Sequence, residues 1–224
     1  MSYRKAFDEM FIEGTIQTVA QIGIENIRTK HVADYAGFSE ATMYRRFPTK
    51  EILLRDTFLY IDNQVSNILT QSPAIRDCGN ERFEWEVYEA WKKIYRYLID
   101  HKEETIFLIR YRYSSLYTDN VRSMRQAYNG SFRKVYEAFG KRYGAGTPES
   151  TSFLINYIFE MTLCFAEKVI TGKLEDNEQT ERSIWMAVSS AARTFAQMPE
   201  GEKPDGDAKS VQRDEMDKTK SCSL

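Results

Sequence analysis

Apolar residues recur along this chain at spacings of three and four, and no stretch shows the alternation of a half-buried strand. The pattern predicts an all-α protein. A first helix presents Ile12, Thr15, Ile16 and Val19 and stops near Gly23. A longer one presents Leu54, Phe58, Ile61, Val65 and Ile68, then frays at Gln71-Ser72-Pro73, because proline has no N–H to continue it. Further faces are Phe83, Val87, Trp91, Ile94 and Leu98, and then Val121, Met124, Tyr128, Phe132, Val135 and Phe139, ended by Gly144 and Gly146.

Thr147-Pro148-Glu149 has the chemistry of a helix start: a capping hydroxyl, a proline suited to the first turn and an acid facing the positive dipole end. The helix that follows, over 150–171, is apolar nearly all round, with Leu154, Ile158, Met161, Phe165 and Val169 on one side and Phe153, Tyr157 and Cys164 flanking. Such a helix must be covered on more than one face. Gly172 ends it. The last helix, 180–197, carries Ile184, Val188, Ala191, Ala192 and Phe195, with Ala187 and Ser190 small enough for a close neighbour. From Met198 onward Pro, Gly, Asp, Lys and Ser dominate, so residues 198–224 are expected to be a disordered tail.

Composition narrows the class without deciding it. With 42% hydrophobic and 29% charged residues, the 224-residue chain can bury a core. No apolar run nears the roughly 20 residues needed to span a bilayer, and the first residues lack a signal-peptide core. A cytoplasmic protein without membrane attachment is expected. Cys78, Cys164 and Cys222 lie far apart, which offers neither a disulfide framework nor a metal site. The two histidines, His31 and His101, stand outside any nucleophile–base pattern, and no glycine-rich phosphate loop occurs. These absences argue against an enzyme and give no reason to expect a cofactor.

A net charge of −2 gives no overall basic footprint, so any affinity for nucleic acid must be local. Between Glu25 and Lys50, five basic residues (Arg28, Lys30, Arg45, Arg46, Lys50) face three acidic ones (Glu25, Asp34, Glu40). Within this stretch, Val32, Ala33 and Ala36 give a short helix one apolar face, and Gly37 follows where the chain must turn. Phe38 plugs the angle between helices. Ser39 caps a second helix whose inner face is Met43, Tyr44 and Phe47 and whose outer face is Glu40, Ala41, Thr42, Arg45 and Arg46. Two short helices, a tight turn and a polar second helix make a helix-turn-helix.

The stretch VAQIGIENIRTKHVADYAGFSEATMYRRFPTKEILL resembles the N-terminal domain of the TetR family of bacterial transcription regulators. The resemblance rests on Gly23, Val32-Ala33, Ala36-Gly37-Phe38-Ser39, Tyr44, Phe47 and Thr49-Lys50-Glu51, in unbroken spacing over roughly residues 10 to 60. Departures are Gly14 and Thr15 for small alanines, Val19 for phenylalanine, Ala41 for glycine, and Arg28 for Ser or Thr, which shifts the expected cap of the second helix toward Thr29. The resemblance implies a helix-turn-helix domain over 1–48, a connecting helix over 49–74 and a helical effector-binding and dimerisation domain over 75–197. It also implies a homodimer joined by the 150–171 and 180–197 helices, a double-stranded DNA operator and a small-molecule effector.

The side chains suggest roles. Arg45 and Arg46 project toward the duplex, able either to fork onto guanine or to hold phosphate. Ala41 and Thr42 suit a thymine methyl or a base edge, and Glu40 a cytosine amine. Tyr44 sits beside the inner face with its hydroxyl within reach of phosphate. Arg28, Thr29 and Lys30 begin one helix and Lys50 the next, at termini that attract phosphate. Ser39 completes the set. Further on, Trp91, Tyr95, Phe107, Tyr111, Tyr128 and Phe132 combine apolar bodies with polar handles, and Arg110 among them suits an anionic effector. A helical module that grips protein rather than DNA is the alternative, and nothing in these residues separates a repressor from an activator.

Overall fold

The structure, a computed structural model, describes residues 3–73, 81–128, 137, 141–142 and 148–197. Among these every extended element is an α-helix, and no strand is present. In chain order they are α1 (Tyr3–Ile22), α2 (Thr29–Ala36), α3 (Glu40–Arg46), α4 (Lys50–Thr70), α5 (Phe83–Asp100), α6 (Lys102–Arg112), α7 (Asp119–Tyr128), α8 (Pro148–Ile170) and α9 (Glu178–Gln197). The second half of the predicted face through Val135 and Phe139, the start at Thr147 and the tail from Met198 lie outside the described residues.

α1 is enclosed on several sides, packing on α2, α4 and α6. Phe11, Ile16, Val19 and Thr15 are fully buried there, and Thr18 nearly so. Both threonines satisfy their hydroxyls by donating one turn back, to the carbonyls of Phe11 (2.7 Å) and Gly14 (2.6 Å). Gly14 has a steric reason: a Cβ there would stand 3.0 Å from the carbonyl oxygen of Val32 on α2. The missing side chain lets the two helices approach.

α4 runs the length of the junction between the N-terminal helices and the rest. Thr49 caps it, accepting from the Ile52 N–H at 3.2 Å, and Gln71 ends it, one residue short of Ser72-Pro73. Its Leu53, Leu54, Phe58 and Ile61 have no exposed surface, each such burial stabilising the fold by ~1.5–3 kcal/mol. The apolar core is continuous from Phe11 of α1 to Val188 of α9. α5 packs on α4, α6 and α8, and α9 lies on α8.

One polar assembly is embedded in that packing. Glu181 of α9, 1% exposed, accepts from Arg96 (Nε 2.8 Å, Nη2 2.6 Å), Lys92 (3.0 Å) and the Tyr88 hydroxyl (3.2 Å), all on α5. Burial pushes this carboxyl up, but the Arg96 and Lys92 contacts outweigh burial and hold it below the ordinary carboxylate range. The clamp joins α9 to α5 beside the Trp91–Trp185 ring contact, whose centroids are 5.1 Å apart.

Candidate nucleic-acid interface

α2 and α3 meet at a turn that follows from its residues. Gly37 adopts φ 75°, ψ 26°, left-handed backbone that a side chain resists. Its N–H and that of Phe38 donate to the Asp34 (3.2 Å) and Ala33 (2.9 Å) carbonyls, closing α2. Phe38 then packs against Phe7 and Phe11 of α1, with centroids 4.4 and 5.4 Å away. Ser39 caps α3, accepting from the Thr42 N–H at 3.2 Å. Buried Met43 and Phe47, four residues apart, seat α3 on the core.

With that stripe inward, the opposite face is free. Ala41, Tyr44 and Arg45 are exposed, and Arg45 Nη2 donates to the Thr42 hydroxyl at 3.2 Å, itself 2.9 Å from Ser39 Oγ. Arg28 and Lys30 are exposed where α2 begins, and Lys50 is half-buried at the start of α4. At the same helix start Glu51 is held below the ordinary carboxylate range by backbone and Thr49 hydrogen bonds.

Four of the expected placements come out differently. Tyr44 leaves the inner face and is 42% exposed, because one residue beyond Met43 rotates its side chain about 100° around the helix. Thr29 does not cap α2: Arg28 holds that position without a side-chain bond, while the Thr29 hydroxyl donates to Glu40 Oε1 at 2.6 Å and lies 3.1 Å from the Tyr44 hydroxyl. Glu40 is thereby tied across to α2. Arg46, though exposed, turns back to α1, where its Nε and Nη2 both donate to the Asp8 carboxylate. That partnership raises the Arg46 pKa further above its already high ordinary value. Asp8 carried no sequence signal, since its partner lies 38 positions away.

The fourth is Arg110, expected beside an effector. Its guanidinium instead donates to the backbone carbonyls of Val19 and Ala20 at the end of α1, the latter at 3.2 Å. The aromatic candidates near it are core residues in this structure. Trp91 stacks on Tyr95 at 5.1 Å and donates to Thr162 Oγ1 at 2.9 Å, and Phe107 stacks on Tyr111, which stacks on Phe58. Burial pushes the Tyr95 and Tyr111 hydroxyls up to about 12. Phe132, and the side chain of Tyr128, lie outside the described residues.

Residues 11–57, which hold α2, α3 and the turn between them but neither Phe7 nor Asp8, match the family model of the bacterial regulatory proteins, tetR family. The chain has the fold of a TetR-family regulator. A TetR-family transcription regulator of Marinobacter aquaeolei VT8 superposes with a TM-score of 0.67 at 21% identity, over 83% of this chain and 95% of that one. One from Haemophilus influenzae RD gives 0.64 at 16%, over 84% and 97%. A TetR-like regulator of Rhodococcus sp. RHA1 gives 0.58 at 14%, over 85% and 100%. No curated protein matches the sequence. The TetR-type fold thus extends well past the matched segment, into the helices after α4. No described helix is long and apolar enough to cross a membrane.

Proposed function

We propose that this protein is a transcription regulator that binds a palindromic DNA operator as a homodimer and is released by a small molecule, acting as a repressor. The observation that carries the reading is the orientation of α3. Met43 and Phe47 anchor it, and Ala41, Thr42 and Arg45 face outward on a rod short enough to enter a major groove. Arg45 is the base reader in this proposal; Arg28, Lys30, Lys50 and the Tyr44 hydroxyl hold phosphate.

Dimerisation is supported by apolar surface that α8 and α9 leave uncovered: Phe153 is 73% and Met186 65% exposed. A two-fold axis through these helices would set two copies of α3 against grooves ~34–36 Å apart. The effector is proposed to be an amphipathic molecule admitted to the aromatic interior around Trp91, Tyr95, Phe107 and Tyr111. Separating those rings would shift α6, and with it α1 and α4.

Selection from random duplexes, followed by titration at several salt concentrations, tests the reading. Affinity should fall steeply with salt. Arg45→Ala should cost ~1–3 kcal/mol on the selected duplex and much less on random DNA. Failure of the native chain to retain any duplex would leave the protein-binding alternative.

A further inference from the structure

Asp8 and Arg46 are joined by two parallel hydrogen bonds, the strongest geometry a carboxylate and a guanidinium form. The Arg46 side chain is 40% exposed and that of Asp8 21%, so the pair lies at the surface, beside the DNA-facing side of α3. The other acid facing Arg46 is Asp56 of α4, which is paired with Arg55. One of the two arginines of the recognition helix thus has its charge cancelled from α1, while Arg45, next to it, bonds only the neutral Thr42 hydroxyl among the contacts seen.

From this geometry we infer that Asp8 is a specificity-determining residue: it holds Arg46 against α1 and withholds its charge from the phosphate backbone, so that sequence-independent affinity stays low and the base contacts of α3 decide. The inference rests on the DNA-binding reading above. Each phosphate neutralised by a cation releases condensed counterions and steepens the dependence of log K on log salt by about 0.9. A cation already paired within the protein contributes nothing to that slope. Removing the Asp8 charge therefore frees one cation for phosphate. Binding of random DNA rises by up to about eightfold at 0.1 M salt, with the gain vanishing near 1 M.

The experiment compares the native chain, Asp8→Asn, and the double variant Asp8→Asn/Arg46→Gln on a selected operator and on a random duplex, from 0.1 to 1 M salt. Asp8→Asn is expected to bind random DNA more tightly, with a slope steeper by about 0.9 and a smaller operator-to-random ratio. The double variant, in which a neutral pair replaces a cancelled one, should return to the native slope. Thermal melts of all three report whether the fold is kept. Weaker binding of both duplexes by Asp8→Asn, or an unchanged slope in a variant that melts like the native chain, overturns the inference and makes Asp8 a brace for α3. A native chain that binds no duplex in a salt-dependent way overturns the DNA-binding reading itself, and is told apart by that control.

Discussion

Arg110, near the end of α6, donates to the backbone carbonyl of Ala20, on the last turn of α1, at 3.2 Å, and also to the neighbouring carbonyl of Val19. Helix C-terminal carbonyls such as that of Ala20 have acceptor capacity to spare, and a cation there also meets the negative end of the dipole. The contact makes α6 a direct neighbour of α1, beside the covalent route through α4. A displacement inside the C-terminal helices then reaches α1 without passing along the chain.

Arg110→Met should keep the aliphatic packing and lose the bonds. Hydrogen bonds to charged groups contribute ~1.5–3 kcal/mol, and partial exposure here lowers the expected loss to about 1 kcal/mol in urea unfolding. Amide exchange at Gly23, whose N–H donates to the same Val19 carbonyl at 3.0 Å, should quicken. Native-like exchange at Gly23 would make the contact incidental.

Gly14→Val places a branched side chain where even a Cβ would lie 3.0 Å from the Val32 carbonyl and 3.1 Å from Tyr35 Cδ1. Exposed Tyr35 can swing aside; the α2 backbone cannot. We expect a loss of ~1–3 kcal/mol in thermal or urea unfolding, as for overpacked cores, and weaker DNA binding because α2 is displaced. An unaltered melting curve would show that α1 and α2 separate at little cost.

Thr162→Val is nearly isosteric but removes the acceptor of the buried Trp91 indole N–H, 2.9 Å away. An orphaned buried donor costs ~1–3 kcal/mol, more than the ~0.8 kcal/mol that burying the added methyl returns. Trp91 fluorescence should report the change, since its indole N–H loses its partner. Equal stability of variant and native chain would require another acceptor for that N–H.

Glu181 gives a pH signature. Its carboxyl is held below the ordinary range in the folded state, chiefly by Arg96 and Lys92 against the opposing effect of burial. A depressed carboxylate contributes stability above its unfolded pKa, about 4.3, and loses it as pH falls through the lower folded value. Urea midpoints measured from pH 7 to 3 should therefore drop in the native chain. In Glu181→Gln they should start lower, fall less below about pH 4.5, and converge with the native ones at the acid end. Parallel curves would remove Glu181 from the acid limb.

The helix-turn-helix was legible because its signals are local. Gly37, Ser39 and the Met43–Phe47 stripe act on close sequence neighbours, and each does in the structure what its chemistry dictates. The free face of α3 was legible for the same reason. Tyr44 was misassigned by a single step of helical rotation. The partners of Arg46 and Arg110 were not legible: a charged side chain reads alike whether it faces solvent, DNA or a carbonyl 91 positions away. The aromatic run from Trp91 to Tyr111 shares that ambiguity, since stacking rings and pocket-lining rings have the same composition.

By itself the sequence determined the helical class, the breaks at Gly23, Gly37, Pro73 and Gly172, and the segment that forms the angled pair of helices, all of which follow from short-range sterics, capping and periodicity. Only the tertiary structure decided which charges are available and which are cancelled. Asp8 takes Arg46, Glu181 takes Arg96 and Lys92, and the end of α1 takes Arg110. Those choices depend on how distant helices pack, and electrostatic pairing is set by distance in space rather than by position along the chain.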